Sequence, residues 1–281
     1  MLEVKVCATS ANLGIGFDCL GLAINIYNTF IFDKSNCFSY HGFDLKYAND
    51  NNLVKKAYEY TFKLAKKEVI PVKISFNGDI PIARGLGSSS SLIVAGLFAA
   101  NYYLGNIFSK DELFQICVEL EGHPDNVAPA IYGGFAASYK VDDCYKVINY
   151  PINSDFIFNI ISPPFEVKTS DARAVLPKVI SYSDSIWNLS RIVHLPLALA
   201  SGDIKLLKDI LIDKLHEPYR CKLIPKYESI EVEVTENNAC LLISGSGSSL
   251  LVISKDDICL KNNPYPIYKV NVGCGVEIKE C

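Results

Sequence analysis

The sequence lacks several features that would each have assigned it a class. No apolar run approaches the roughly 18 residues that cross a bilayer as a helix, so no membrane span is expected. The first residues, Met1-Leu2-Glu3-Val4-Lys5-Val6, alternate like a strand and lack the apolar core of a secretory signal, so the expected location is the cytoplasm. Positive charge is not in surplus: 27 Lys and Arg face 31 Asp and Glu, for a net charge of −4. A nucleic-acid binder usually carries a basic face, so no nucleic-acid partner is expected. The ten cysteines are scattered singly and form no Cys-x-x-Cys, which suggests neither a zinc ribbon nor a redox motif. They read as reduced thiols, many of them small core hydrophobes. Internal repeats, low-complexity tracts and long linkers are also missing.

What is present suits a soluble enzyme. The 281 residues are 49% hydrophobic and 21% charged, enough for one large domain or two modest ones. The most informative stretch is Ile80-Pro81-Ile82-Ala83-Arg84-Gly85-Leu86-Gly87-Ser88-Ser89-Ser90-Ser91. A strand-like alternation, Val72 to Phe76, precedes it, and an apolar helix-forming run to about Leu104 follows. A Gly/Ser loop therefore opens a buried helix. Glycines let the backbone approach a ligand, and serines offer a cap and hydroxyl donors. Free N–H groups and the helix dipole make such an end a phosphate site, although a plain turn and cap would use the same residues. The loop is neither common phosphate motif, because no Lys follows the last Gly and no Gly-x-Gly-x-x-Gly occurs.

Five further stretches carry chemistry. Ala8-Thr9-Ser10-Ala11-Asn12-Leu13-Gly14-Ile15-Gly16-Phe17-Asp18-Cys19-Leu20-Gly21-Leu22 reads as a strand end and a tight polar loop before a strand over 23–32. Glu121-Gly122-His123-Pro124-Asp125-Asn126-Val127-Ala128-Pro129 packs four polar side chains into six residues, as either a site or a surface turn. Thr169 and Arg173 begin a helix, and Glu217-Pro218-Tyr219-Arg220 comes later. Ser244-Gly245-Ser246-Gly247-Ser248-Ser249 is a second Gly/Ser turn between apolar runs. Elsewhere the pattern predicts a helix over 52–67 with Leu53, Ala57, Tyr60, Leu64 and Ala65 inward. A capped helix from Ser109 should turn Leu113, Ile116, Cys117 and Leu120 inward. Helices are expected over about 182–200 and 203–214, with closing strands after Ile253. His41 and His194 receive no role, and His216 reads as surface or cap.

These strings, in this order, resemble the homoserine kinases of the GHMP small-molecule kinases from Ala8 to about Ile253. One departure is Ser248, where the family usually has Pro. The resemblance implies a two-domain α+β fold, with an N-terminal ATP-loop domain over 1–152 and a ferredoxin-like domain over 153–281. It implies phosphoryl transfer from Mg·ATP to L-homoserine, a step of threonine biosynthesis. ATP would meet Pro81 to Ser91, with Asn52 a weaker candidate near the adenine; for Asn52 a helix cap is the stronger local reading. Ser89 and Glu121 would hold Mg²⁺. The amino acid would meet Asn12, Asp18, His123, Thr169, Arg173 and Arg220, with Asp125 and Asn126 near the reacting hydroxyl. Two arginines and a histidine suit a zwitterion better than a sugar. A homodimer is a further implication. A GHMP protein that binds without turnover is the rival class.

Overall fold

Strand β1 (Leu2–Ala11) alternates apolar and polar at its start and pairs antiparallel with the long β2 (Leu20–Lys34). The computed structural model describes residues 1–281. β2 carries two partners along its length. Its first residues pair with β5 (Phe135–Val141), and its last seven pair with β4 (Val72–Gly78). The short β3 (Ser39–His41) adds to β4 in parallel, and β6 (Cys144–Tyr150) closes a hairpin on β5. Helices α1 (Leu53–Leu64), α2 (Ser88–Tyr103), α3 (Lys110–Glu121) and α4 (Pro124–Tyr132) pack on this sheet over 28 buried apolar residues.

The second layer begins with β7 (Ile157–Ile161). A helical stretch follows: α5 (Thr169–Ala174), α6 (Tyr182–Ile192), α7 (Leu195–Ser201), α8 (Ile204–Ile210), α9 (Glu217–Arg220) and α10 (Tyr227–Glu236). Then come β8 (Cys240–Ile243), β9 (Leu250–Ser254) and β10 (Ile267–Val270). These strands form a four-stranded antiparallel sheet ordered β10-β7-β9-β8, which is fourth, first, third, second within the unit. That is the ferredoxin-like order, so the α+β fold expectation holds. The final strand β11 (Glu277–Glu280) returns to the first sheet and pairs with β1, so a cut at residue 152 leaves the chain's end with the wrong sheet.

A shared cluster joins the two sheets. Ala8, Leu22 and Ile24 of the first pack with Phe158, Leu242 and Leu251 of the second, within 22 buried residues. Each fully buried Leu, Ile or Phe contributes about 1.5–3 kcal/mol, so this cluster fixes the two sheets as one unit.

Several local expectations are corrected. α1 turns Val54, Ala57, Tyr58, Thr61 and Phe62 inward, while Leu53 and Leu64 are exposed. Polar atoms do not keep Tyr58 and Thr61 out of the core, because each hydroxyl finds a carbonyl: Tyr58 donates to Ile70 O and Thr61 to Ala57 O. Leu120 is exposed, whereas Leu113, Ile116 and Cys117 are buried as the pattern predicts. The helix expected over 182–200 breaks at Val193 and His194. Pro196 has no N–H and its ring would clash inside a continuous helix, so it sits in the first turn of α7 instead. The helix expected over 203–214 stops at Ile210. Thr169 is the first helical residue of α5, and Lys168 holds the cap position. Only Cys7, Cys117 and Cys240 are buried; the other seven cysteines lie wholly or partly at the surface, and all ten are free.

Candidate active site

The loop between β4 and α2 is built on two glycines in left-handed conformation, Gly85 at φ 72° and Gly87 at φ 69°. A Cβ on Gly85 would lie 2.1 Å from Ser244 O, and one on Gly87 would lie 2.0 Å from Thr9 Oγ1. Any other residue would have to push the loop away from its supports. Those supports come from both sheets. Thr9 N donates to Leu86 O, Ser249 N to Arg84 O, and Ser244 Oγ to Gly85 O. The first helical bond of α2 is Ser91 N to Gly87 O, so the N–H groups of Ser88, Ser89 and Ser90 have no partner within the helix. No side chain caps them. With the helix dipole behind them they form a cradle for a phosphate.

The serines divide their work. Ser89 Oγ donates to Glu121 Oε2 at 2.9 Å, and Ser90 Oγ to Glu121 Oε1 at 2.8 Å. Ser91 is turned into the protein, donating to Ser88 O and accepting from Asn28 Nδ2. Glu121 ends α3, whose start is fixed by the Ser109–Glu112 capping box. The chain turns at Gly122 and re-enters a helix at once, because Pro124 suits a first helical position. The first turn of α4 thereby presents His123, Asp125 and Asn126 beside the loop. His123 Nδ1 meets Asp125 Oδ1 at 2.6 Å, and the same oxygen accepts from Asn126 N. Burial alone would lower the His123 pKa, but the bond to Asp125 and the Asp125 and Glu121 charges outweigh it and raise it. Asn126 Oδ1 accepts from Thr9 Oγ1 at 2.8 Å, which leaves its Nδ2 as the donor end.

The opposite wall is charged. Arg173, on α5, makes a two-pronged bond to Asp18, both contacts at 2.9 Å. Arg220, at the end of α9, is buried and donates to Ala172 O and Gly245 O. Burial and then the neighbouring Arg173 charge push the Arg220 pKa down, while the bond to Asp18 raises that of Arg173 against an opposing burial effect. Phosphate loop, α4 turn and arginine wall all line one cavity of about 620 Å³. Its far end carries Phe43, Tyr47 and Phe76, with the Phe43 and Phe76 rings stacked at 4.9 Å. An aromatic wall of that kind suits a flat base.

Most of the expected site residues meet here. Asn12, Asp18, Asn52, Ile82, Ala83, Arg84, Gly85, Gly87, Ser88, Ser89, Glu121, His123, Asp125, Asn126, Thr169, Arg173 and Arg220 all line the cavity. Pro81, Leu86, Ser90 and Ser91 do not; Leu86 is a core residue. Three of the lining residues spend their side chains elsewhere. The Arg84 guanidinium donates to Pro163 O. Asn52 caps α1 through Val54 N and Lys55 N, and Asn12 ties Gly245 O to Asp18 N. Thr169 is exposed at the rim. The sequence reading missed Thr9, although it stands inside a recognised string, and it missed the aromatic end, which has no motif. It also missed His216, which is fully buried rather than at the surface, beneath the acceptor loop.

A carboxylate beside a hydroxyl at the phosphate loop is a hard-oxygen donor set of the kind Mg²⁺ accepts with phosphate and water. No three His, Cys, Asp or Glu side chains converge as a metal cage.

Comparisons with known proteins show what the chain is similar to. Residues 52–134 match the family model for the GHMP kinases N terminal domain. A homoserine kinase of Clostridium botulinum (strain Kyoto / Type A2) is 41% identical over 261 residues, which is 92% of this chain and 87% of that one. A homoserine kinase of Clostridium beijerinckii is 40% identical over 256 residues, covering 90% and 86%. The crystal structure of homoserine kinase from Cytophaga hutchinsonii superposes with a TM-score of 0.87 at 28% identity, over 99% of this chain and 97% of that one.

Proposed function

The chain belongs to the homoserine kinase family of the GHMP kinases, and from that premise we propose that it transfers the γ-phosphoryl group of ATP to the hydroxyl of L-homoserine. The products are O-phospho-L-homoserine and ADP. The observation that carries the reading is that a helix N-terminus shaped for phosphate and a cluster of Asp18, Arg173, Arg220 and His123 open into one cavity. A phosphate donor and a small zwitterion can therefore meet without leaving the protein.

Each group has a physical task. The backbone at Gly85, Gly87 and Ser88 holds the phosphates, with the purine toward Phe43, Tyr47 and Phe76. Ser89 and Glu121 would hold Mg²⁺ through oxygen, and the ion would neutralise charge on the phosphates. The acceptor carboxylate lies against Arg220 and Arg173, with His123 adding positive charge, and its ammonium lies toward Asp18. Arg suits that role because its planar fork matches a carboxylate. Transfer proceeds through a loose transition state, so positioning and charge stabilisation outweigh covalent chemistry. Asn126 acts as a donor to the oxygens of the transferring group, since its own oxygen is engaged by Thr9. Asp125, already bonded to His123, lies beside the reacting hydroxyl and orients the α4 turn.

The direct test is phosphorus NMR of the products formed from Mg·ATP and L-homoserine. A phosphomonoester of homoserine supports the reading; ATP binding with no such product defeats it. Asn126→Ala should lower kcat about a hundredfold while leaving the KM for ATP within about threefold. A large loss of ATP affinity with turnover intact would remove that role. The exposed stripe Tyr182, Ile186 and Leu189 on α6, continued by Val193 at its C-cap, supports a homodimer, to be read by sedimentation; a monomer at micromolar concentration would count against it. No helix is long and apolar enough to cross a membrane, and ten free thiols support a reducing, cytoplasmic setting.

A further inference from the structure

Phe17 stands outside the cavity lining, yet it touches what organises the acceptor end. Its ring stacks on His216, with centroids 5.1 Å apart and planes inclined by 27°. The guanidinium carbon of Arg220 lies 5.0 Å from the same ring and that of Arg173 lies 5.7 Å from it. The next residue in the chain is Asp18, the bidentate partner of Arg173.

His216 is in turn held on every side. It is fully buried, and its Nε2 lies 2.6 Å from Gly14 O. A carbonyl only accepts, so the ring carries its proton on Nε2, and Nδ1 has no partner. Beneath it, Asp213 accepts from His216 N, Glu217 N and Asn188 Nδ2. Asn188 also reaches Ile15 O at 3.5 Å and accepts from Lys214 N. Loop 12–18 is thus bolted at Gly14 and Ile15 to the segment that ends in Arg220.

Two guanidinium groups side by side repel each other. Asp18 offsets the charge of Arg173, but Arg220 bonds only to the carbonyls of Ala172 and Gly245. The Asp18, Asp125 and Asp213 charges attract Arg220 without bonding it, and the Phe17 ring face, in reach of both cations, adds an attraction that both guanidinium groups share. We propose that Phe17, backed by His216, is a positioning residue that sets the spacing of the Arg173 and Arg220 guanidinium groups and so selects an acceptor bearing a carboxylate. It acts through the arginines. The proposal rests on reading the cavity as that of a homoserine kinase.

The test compares Phe17→Leu, Phe17→Met, Phe17→Tyr and His216→Phe with the wild-type enzyme. The readouts are KM for L-homoserine, KM for ATP, kcat, L-homoserine binding by calorimetry, and melting temperature. Leu and Met should raise the KM and Kd for L-homoserine about tenfold and leave the KM for ATP within twofold. Tyr keeps the π face and should restore homoserine affinity to within about threefold of wild type. His216→Phe keeps the stack but loses the bond to Gly14 O, and should weaken homoserine selectively as well. Unchanged homoserine affinity in a folded Leu or Met variant overturns the proposal. So does a parallel loss of ATP and homoserine affinity, which a merely structural plug would give. If the wild type neither binds nor phosphorylates L-homoserine, the functional reading falls and takes this one with it. If the wild type does both and the variants match it, this proposal alone falls.

Discussion

On the proposed reading, the two ends of the cavity would recognise charge in different ways. At the phosphate end the recognising atoms are backbone N–H groups at the start of α2, and the side chains beside them are neutral serines. At the acceptor end they are side-chain charges: Asp18, Arg173, Arg220 and His123, brought together from four separate regions of the chain. A triphosphate is a uniform anion, and a helix end suits any such group. An amino acid carries both signs at fixed spacing, and only placed side chains of both signs can read it. The ends should therefore fail independently, which gives ways to test the division.

The largest effect is expected at Arg220. Removing a buried, hydrogen-bonded charge costs about 2–5 kcal/mol, so Arg220→Ala should lower kcat/KM for L-homoserine by about 10²–10³, with the KM for ATP little changed. Steady-state kinetics with each substrate varied checks this, and Arg220→Lys should not rescue it. Gly85→Ala breaks the other end. Its Cβ would fall 2.1 Å from Ser244 O on a residue held at φ 72°. At about 1–3 kcal/mol for such strain, KM for ATP should rise ten- to a hundredfold, and more than KM for L-homoserine.

Smaller effects sharpen the comparison through pH. The His123 pKa is raised because Asp125 and Glu121 outweigh burial. The charged form favours the acceptor carboxylate, so KM for L-homoserine should rise roughly three- to tenfold as pH climbs through that raised value, since one screened charge contributes about 1 kcal/mol. KM for ATP should not follow, and His123→Gln should flatten the dependence. The same shift contributes stability that is present below the unfolded pKa of about 6.5 and is lost as pH rises through the folded value.

Glu217 acts on stability rather than on the KM of either substrate. Burial raises its carboxyl to about 8, against the bond from Ile243 N. The unfolded group titrates near 4.3, so folding favours its protonated form and stability falls from about pH 4.3 to about pH 8. Glu217→Gln should therefore melt on the order of ten degrees above wild type at pH 8–9, since the shift corresponds to up to roughly 5 kcal/mol at about 2–4 °C per kcal/mol, with the gap narrowing toward pH 5. An equal gap at both pH values would contradict the buried-carboxyl account.

The same division explains what was legible in the sequence. The phosphate loop is a contiguous string, and glycines at Gly85 and Gly87 announce a backbone conformation that other residues adopt poorly. The acceptor residues could be named one by one only through resemblance to a family, because no spacing tells that Asp18 meets Arg173 across 155 residues. His216 read as a surface residue because burial of a polar ring depends on a distant carbonyl, here Gly14 O. The inward face of α1 was misread by one position because Tyr58 and Thr61 look polar until their carbonyl partners are known. The helix break near His194 was legible in Pro196 and was overlooked.

The most direct measurement is kcat/KM for L-homoserine, L-threonine, L-serine, mevalonate and 3-amino-1-propanol in parallel, by ADP release from Mg·ATP. The account predicts that L-homoserine exceeds every other acceptor by about a hundredfold or more, including 3-amino-1-propanol, which has the same hydroxyl and ammonium but no carboxylate. Equal turnover of 3-amino-1-propanol would contradict a charge-reading acceptor end. No transfer to any acceptor, from protein that binds ATP, would contradict the kinase itself.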